Sequence, residues 1–308
     1  LMKVSTSQIF ERAMTQMSNQ QAKVSDLQSK LATGKQIARP SDDPEKAGVI
    51  QRLTSANQRL DGYESNVTAF KSRLGAEEGA LKSAENILQR MRELAVQGQS
   101  DTLSPADRKI IATEVSALRD QMLSLANSTD SSGNYIFAGA MVRSAPFGEN
   151  ENGDTVYQGD NSRMMLDVSD QRQLALNKPG NEIFSSAIRE NSDGSFERVE
   201  FFTIIDDFTA ALESNDTAQI ELSLSEISDL TETMAVSLAD VGSRVNTADS
   251  QLDALADTKL RYQTLLSQAQ DLDYTAAITE LTSEIMSLEA GQSSFIKISQ
   301  LSLFDYIR

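Results

Sequence analysis

The sequence predicts a mainly α-helical, elongated protein with long antiparallel coiled-coil helices, a helical arm pair formed by the two termini, and a small β-rich middle domain. Two segments of the chain predict the coiled coil, because each keeps apolar residues at alternating spacings of three and four over about six heptads. Turn residues and short alternating runs separate these segments. A composition of 39% apolar but only 6% aromatic residues suits narrow apolar stripes better than one large core.

The first helix is predicted up to Gly34, which is typical of a residue just past a helix C-terminus. Its apolar residues step by three and four, as in a coiled-coil seam, although one amphipathic helix on a globular core would show the same pattern. The segment 39–44, RPSDDP, then excludes a continuous helix. Ser41 or Asp43 can cap the next helix, with Pro44 in its first turn.

That next helix carries the first long seam and is predicted to need a partner of similar length. A break at 98–102 follows, and Ser104-Pro105 reads as the cap and first position of a shorter helix that ends at 127–128. The seam positions are Val49, Leu53, Ala56, Leu60, Tyr63, Val67, Phe70, Leu74, Glu77, Leu81, Ala84, Leu88, Met91 and Ala95.

The middle of the chain is predicted to be β-rich. Asn152-Gly153 and Asp193-Gly194 are hairpin turns by type, and 178–181 reads as another turn. Runs at 155–157, 164–168 and 173–176 are predicted strands, and a short helix follows over 201–212. We expect this insertion at the distal turn of the long helix pair, facing solvent.

The second long seam runs from Leu224 to Ala269, and the phase slips at 271–274 before a last helix. The predicted domains are therefore an N-terminal arm (1–40), the first long helix with its return helix (41–134), the β-rich domain (135–203), the C-terminal long helix (204–270) and a C-terminal arm (271–308).

The charge is strongly acidic, with a net value of −17. This excludes nucleic acid and anionic membrane as expected partners, because both require a basic face. The first arm has six basic and two acidic residues, whereas residues 269–308 have two basic and six acidic residues. We expect the arms to attract each other, to be loose in the monomer and to become ordered between neighbouring subunits, since their stripes bury too little apolar area alone.

Composition also argues against catalysis: Cys and His are absent, which removes thiolates and the commonest general base. Asp42-Asp43 and Asp271 with Asp273 fall at helix junctions, where acids cap helices. The acidic segment 149–154 lacks EF-hand spacing, and Met164-Met165 reads as strand packing. We predict no enzyme, no metal and no cofactor.

Several motifs resemble the bacterial flagellin family. They are 88–97 (LQRMRELAVQ), 31–35 (LATGK) followed by SDD at 41–43, and 271–274 (DLDY). Within the family, VSTS at 4–7, RPSDDP at 39–44, YIFAG at 135–139 and SLFDY at 302–306 resemble the hook–filament junction member more than the filament subunit. The resemblance covers most of 2–140 and 205–308.

The resemblance implies a structural part of the flagellum, secreted unfolded through the flagellar type III apparatus without signal cleavage, and located between hook and filament. Implied partners are hook-associated protein 1, flagellin, further copies in a ring, and an export chaperone that holds the C-terminal arm. A flagellin, which would form long filaments, is the near alternative. A coiled-coil signalling scaffold with ordered termini is the distant one.

Two sets of residues are predicted to form assembly contacts. Arg90, Arg92 and Glu93 resemble a protofilament contact of flagellins. The arm interface is predicted from the apolar stripes of both terminal helices: Phe10, Met17, Val24, Leu27, Leu31, Ile278, Leu281, Ile285, Leu288, Phe295, Ile298, Leu301 and Phe304.

Overall fold

The structure is a computed structural model that describes residues 6–37, 39–190 and 194–306, with side chains except at 6, 7, 9, 190 and 298–306. Its helices are α1 (Thr6–Thr33), α2 (Pro44–Gly98), α3 (Pro105–Ala126), α4 (Gly180–Ile183), α5 (Phe201–Ser214), α6 (Thr217–Gln270) and α7 (Tyr274–Tyr306). The strands are β1 (Phe147–Glu149), β2 (Thr155–Tyr157), β3 (Met165–Ser169), β4 (Arg172–Ala175), β5 (Ala187–Glu190) and β6 (Phe196–Val199). The predicted fold class is confirmed.

The chain forms two compact units. One contains residues 1–59 and 257–308, and the other contains residues 60–256. The first unit holds α1, α7 and the adjoining ends of α2 and α6, and the second holds everything between them.

Helix ends lie where the cap residues predict them. Gly34 follows α1 with φ +70°, and the Asp43 carboxylate accepts a hydrogen bond from Lys46 N at 3.0 Å. Ser104 and Asp107 form a complete capping box at the start of α3. These local signals depend on neighbouring residues only, so the sequence suffices to place them.

In the second unit α2 and α6 run antiparallel. Lys71 pairs with Asp249 and Glu77 pairs with Arg244, so residue numbers rise along one helix as they fall along the other. The seam positions from Val67 to Ala95 are buried, including Glu77, which is 1% exposed. The pairing therefore follows the predicted heptads.

The β-rich segment consists of three antiparallel hairpins, β1–β2, β3–β4 and β5–β6, each a separate two-stranded sheet. The turns at Asn152-Gly153 and before Gly194 connect strands as predicted, although Asp193 lies outside the described residues. The turn predicted at 178–181 lies one residue later: Pro179 O accepts from Glu182 N at 3.1 Å, and the one-turn helix α4 begins there. Gly180 N donates to Phe137 O at 2.8 Å.

The β3–β4 hairpin does not sit at the distal turn of the long helices, as we expected, but packs alongside them. Asn66 donates to Asp167 O at 2.9 Å, and the buried Gln251 donates to Val168 O at 3.1 Å. These contacts lie more than twenty residues before the end of α2 at Gly98. The hairpin packs there because polar side chains of α2 and α6 donate hydrogen bonds to its main-chain carbonyls. The apolar periodicity of the sequence does not reveal such contacts.

Candidate assembly surfaces

The two terminal helices pack against each other in the first unit. Phe10 and Phe295 meet edge to face with ring centroids 5.3 Å apart. Gln20 Nε2 donates to Glu284 Oε2 at 2.9 Å, and Lys23 Nζ lies 3.4 Å from Glu284 Oε1. The basic first helix and the acidic last helix thus contact each other through opposite charges.

The predicted stripe residues mostly line this contact between the arms. Leu27 is buried, and the other described members on the seam are half-buried: Phe10, Met17, Val24, Leu31, Leu281, Ile285, Leu288 and Phe295. Ile278 differs, because it is 53% exposed and its neighbour Ala277 is buried in its place. The side chains of Ile298, Leu301 and Phe304 lie outside the described residues.

A second apolar stripe remains uncovered on the outer side of α7. Ile278, Met286 and Ile296 are each more than half exposed, and Met14 is similarly exposed on α1. At 100° per residue the α7 positions fall beside the seam rather than on it. The arm pair therefore carries apolar surface that the chain itself does not bury.

The segments that precede and follow the arms are hydrogen-bonded to each other. Gln36 N donates to Gln270 O at 2.8 Å, and Leu272 N donates to Gly34 O at 3.0 Å. Asp273 caps α7, since its carboxylate accepts from Thr275 N at 2.9 Å. Two motifs that are more than 230 residues apart in the chain thus form one structural junction.

The acidic residues at the helix junctions accept hydrogen bonds from the backbone. Asp42 accepts from Arg39 N at 2.8 Å, and Asp43 and Asp273 cap helices. In the β1–β2 turn Asn150 Oδ1 accepts from Asp154 N at 2.9 Å. Within the described residues there is no group of three or more acids that could hold a metal ion, and no helix has an apolar stretch long enough to cross a membrane.

The predicted contact residues of α2 lie on the solvent side of the α2–α3 pair. Arg90 binds Glu114 of α3 at 2.8 Å and Glu93 at 3.0 Å, and these acceptors raise the pKa of its guanidinium. Arg92 is exposed. Ile110 on α3, four residues before Glu114, is 69% exposed, and Val96 elsewhere on the outer side of α2 is 56% exposed. The surface combines charges with uncovered apolar side chains, as protein–protein contacts do.

Sequence reasoning missed three buried arginine clusters in the second unit, because their partners are distant in the chain. Arg73 binds Asp130 and donates to Ile136 O at 2.9 Å. Arg108 donates to Gly98 O at 2.8 Å and also binds Asn215.

The third cluster is centred on Arg189, which binds Glu226 at 2.7 Å and Asp207 at 2.7 Å. Glu226 is 3% exposed, and these acceptors raise the pKa of Arg189. The cluster fixes the β5–β6 hairpin to α5 and α6.

Comparisons with known proteins bear on these surfaces. Residues 4–141 match the family model for the bacterial flagellin N-terminal helical region. Over 98% of its length the chain is 31% identical to flagellar hook-associated protein 3 of Escherichia coli, and the match spans 99% of that protein. Flagellin B of Vibrio cholerae is 36% identical, but over only 36% of this chain.

A solved structure is also similar to most of this chain. The crystal structure of FlgL from Xanthomonas campestris matches with a TM-score of 0.60 and 25% identity, over 71% of this chain and 99% of that one. Similarity to flagellar hook-associated protein 3 thus extends along the chain, whereas the flagellin match is partial.

Proposed function

The chain belongs to the flagellar hook-associated protein 3 family, and on this premise we propose that it joins the flagellar hook, through hook-associated protein 1, to the flagellin filament. It is a structural component of the bacterial flagellum and not an enzyme. The observation that carries the proposal is the end-to-end similarity to hook-associated protein 3. A filament subunit is disfavoured, since the flagellin match covers about a third of the chain.

The arm pair is proposed to pack with the arm pairs of other copies as an inner tube. The seam would hold α1 to α7, and the outer stripe of Met14, Ile278, Met286 and Ile296 would contact neighbouring subunits. Ile298, Leu301 and Phe304 would extend the arm interface. The opposite charges of the arms support this arrangement, because they favour pairing of α1 with α7 over pairing of like helices.

The long helices would form the layer around that tube. Arg90, Arg92 and Glu93 are proposed to contact the next subunit, supported by their exposure and by the exposed apolar side chain of Ile110 near Glu114. A ring of copies related by rotation repeats this contact around the axis.

Before assembly the apolar outer stripe of α7 requires protection. We therefore propose that a cytosolic export chaperone holds the C-terminal arm until the chain leaves through the flagellar type III apparatus. The exposed apolar residues of α7 support this partner, because an unshielded stripe of that size favours aggregation.

Deletion of the encoding gene tests the proposal. Electron microscopy should show hooks without filaments, and flagellin should appear in the culture medium. Return of the full chain should restore filaments, and labelled antibody should mark a single narrow band at the base of each filament. Antibody along the whole filament would indicate a filament subunit and would contradict the junction role.

A further inference from the structure

The β5–β6 hairpin presents an apolar face to solvent. Ile188 and Phe196 are 68% and 71% exposed, and the strand register places Ile188 opposite Arg198, so Ile188 and Phe196 are diagonal neighbours on one face. The other face is buried through Ala187 and Val199. We call Ile188, Phe196 and Arg198 the hairpin surface.

The second uncovered surface lies on α2 and α3. Ile110 lies between two cross-helix contacts, the Arg90–Glu114 ion pair and the hydrogen bond from Arg108 to Gly98 O. Its side chain is 69% exposed. We call Ile110, Arg90, Glu93 and Glu114 the α2–α3 surface.

These two surfaces lie on opposite sides of a four-helix arrangement. Ion pairs join α2 to α3, α3 to α5 and α6 to α2, and Arg189 of β5 bridges α5 and α6. The helices α2, α3, α5 and α6 therefore follow each other around a bundle. The hairpin covers the α5–α6 side. The pairs are Arg90–Glu114, Arg119–Asp206, Arg189 with both Asp207 and Glu226, and Arg244–Glu77.

The surfaces also lie at a similar height along the helices. A Cβ added at Gly98 would stand 3.7 Å from Ile220 Cγ2, which places the end of α2 beside the start of α6. Glu93 is five residues from Gly98, and Glu226, which anchors the hairpin, is six residues from Ile220. At 1.5 Å per residue the two surfaces differ in height by about 10 Å or less.

We infer that the hairpin surface of one copy docks on the α2–α3 surface of the next copy in the junction layer. This rests on the proposed function, because it names what covers the Arg90–Glu93 contact. Opposite surfaces at one height are what a heterologous contact needs to close a ring. A face-to-face dimer would instead require one self-complementary surface.

Charge supports a second copy as the occupant. Arg90 serves two carboxylates, those of Glu93 and Glu114, so one negative charge at this point lacks a cation of its own. Arg198 is exposed, and its side chain forms no hydrogen bond or ion pair with the residues that the structure describes. In the contact Phe196 supplies an aromatic anchor against Ile110, and Arg198 faces the carboxylates.

Cysteine cross-linking tests the contact cleanly, because the chain contains no cysteine. The full chain with Ile110→Cys and Phe196→Cys is expressed in cells that lack the native protein, and flagella with intact hooks are isolated and oxidised. Val236→Cys replaces Ile110→Cys in the control, since Val236 is 63% exposed on α6 and outside both surfaces. Products are separated by denaturing electrophoresis without reductant.

We expect a ladder of multimers from the Ile110–Phe196 pair and only monomer from the control and from each single cysteine. Equal ladders from both pairs, or monomer from the test pair in flagella that contain the protein, would overturn the inference. Absence of the protein from the hook–filament region of wild-type flagella would instead overturn the proposed function.

A second experiment, with charged substitutions in place of the cysteines, tests the same contact if the cysteine pair disturbs assembly. Phe196→Asp and Ile110→Arg are each expected to abolish filament attachment while leaving the thermal unfolding of the free protein unchanged, since both residues are exposed. Together they should restore filaments, because the new charges attract across the contact. A double variant as defective as the single ones would overturn the inference.

Discussion

Tyr274, the first residue of α7, lies against Gly34 at the end of α1: a β-carbon added at Gly34 would stand 2.7 Å from the Tyr274 hydroxyl oxygen. Gly34 also has φ +70°, a conformation that other residues adopt at a cost. Glycine at position 34 thus allows both the left-handed turn and the close approach of Tyr274 across the junction of the arms.

Gly34→Ala should weaken the pairing of α1 with α7. The left-handed backbone costs about 1–2 kcal/mol for alanine, so amide protection in α1 should fall about tenfold. Millisecond hydrogen exchange of the monomer measures this. Gly291→Ala is the matched control, because Gly291 is helical and its Cβ would meet only Met17 Cγ at 3.9 Å. That substitution should raise protection, by about 0.5–1 kcal/mol, and a loss in the control would contradict the explanation.

Gly139→Ala should destabilise the second unit strongly. Gly139 has φ +67°, and an added Cβ would stand 2.0 Å from Asp160 Oδ1 and 2.1 Å from its carbonyl oxygen. Asp160 cannot move freely, since its carboxylate accepts from Ala140 N at 2.7 Å. We expect a loss of about 2–4 kcal/mol in the free energy of urea unfolding. Gly153→Ala should cost about 1 kcal/mol, because its φ is +88° but no atom lies within 4 Å.

Removal of Arg244 should leave a buried charge without a partner. Arg244 binds both oxygens of Glu77, at 3.1 and 3.2 Å, and Glu77 is 1% exposed. Arg244→Ala is therefore expected to cost about 3–5 kcal/mol in chemical denaturation. Lys82→Ala removes an exposed pair with Glu78 and should change stability by less than about 0.5 kcal/mol. Similar losses in both variants would show that burial is not the cause.

The pH dependence of Glu77 provides a separate prediction. Burial raises the pKa of its carboxyl, against the lowering effects of Arg244 and Arg73. A raised folded pKa means that the associated stability is complete below the ordinary value of 4.5 and is lost as pH rises through the folded pKa. The stability advantage of wild type over Glu77→Gln should therefore shrink as the pH rises above 4.5. An advantage that grows over this range would refute the assignment.

Sequence periodicity predicted the pairing of the long helices, because a coiled-coil seam repeats the same three-and-four spacing of apolar residues along its whole length. Glu77 occupies a seam position although it is charged, and the structure buries it there. The hydrogen bonds of Arg108 were not predictable from the sequence. Their acceptors are the carbonyl of Gly98 and the side chain of Asn215, which has a left-handed conformation with φ 59°. Such contacts exist only once the helices are packed.

The same limit applies to the middle segment and the arms. The Pro-Gly composition at 178–181 predicts a turn, but it does not predict the helix α4 or the hydrogen bond from Gly180 N to Phe137 O. On α7 the sequence does not decide which of two adjacent residues the monomer buries; the structure buries Ala277 and leaves Ile278 53% exposed.

Limited proteolysis should remove the arms of the monomer first. Among arm residues with described side chains only Leu27 and Ala277 are buried, so the local free energy of opening is low. We expect a resistant core that contains residues 60–256, identified by mass spectrometry. Arms that survive as long as this core would show that α1 and α7 are stable alone.

Two adjacent residues of α7 can separate arm pairing from assembly. Ile285 is half-buried against α1, whereas Met286 is 59% exposed on the outer stripe. Ile285→Asp should weaken the arm pair by about 1–2 kcal/mol, leave export into the medium intact and abolish filament attachment. Met286→Asp should leave α1 protection unchanged in the monomer and still reduce filament attachment, because it places a charge where neighbouring subunits are proposed to pack. Hydrogen exchange, immunoblots of the medium and electron microscopy distinguish the two effects, and normal filaments on cells with Met286→Asp would remove the outer stripe from the assembly interface.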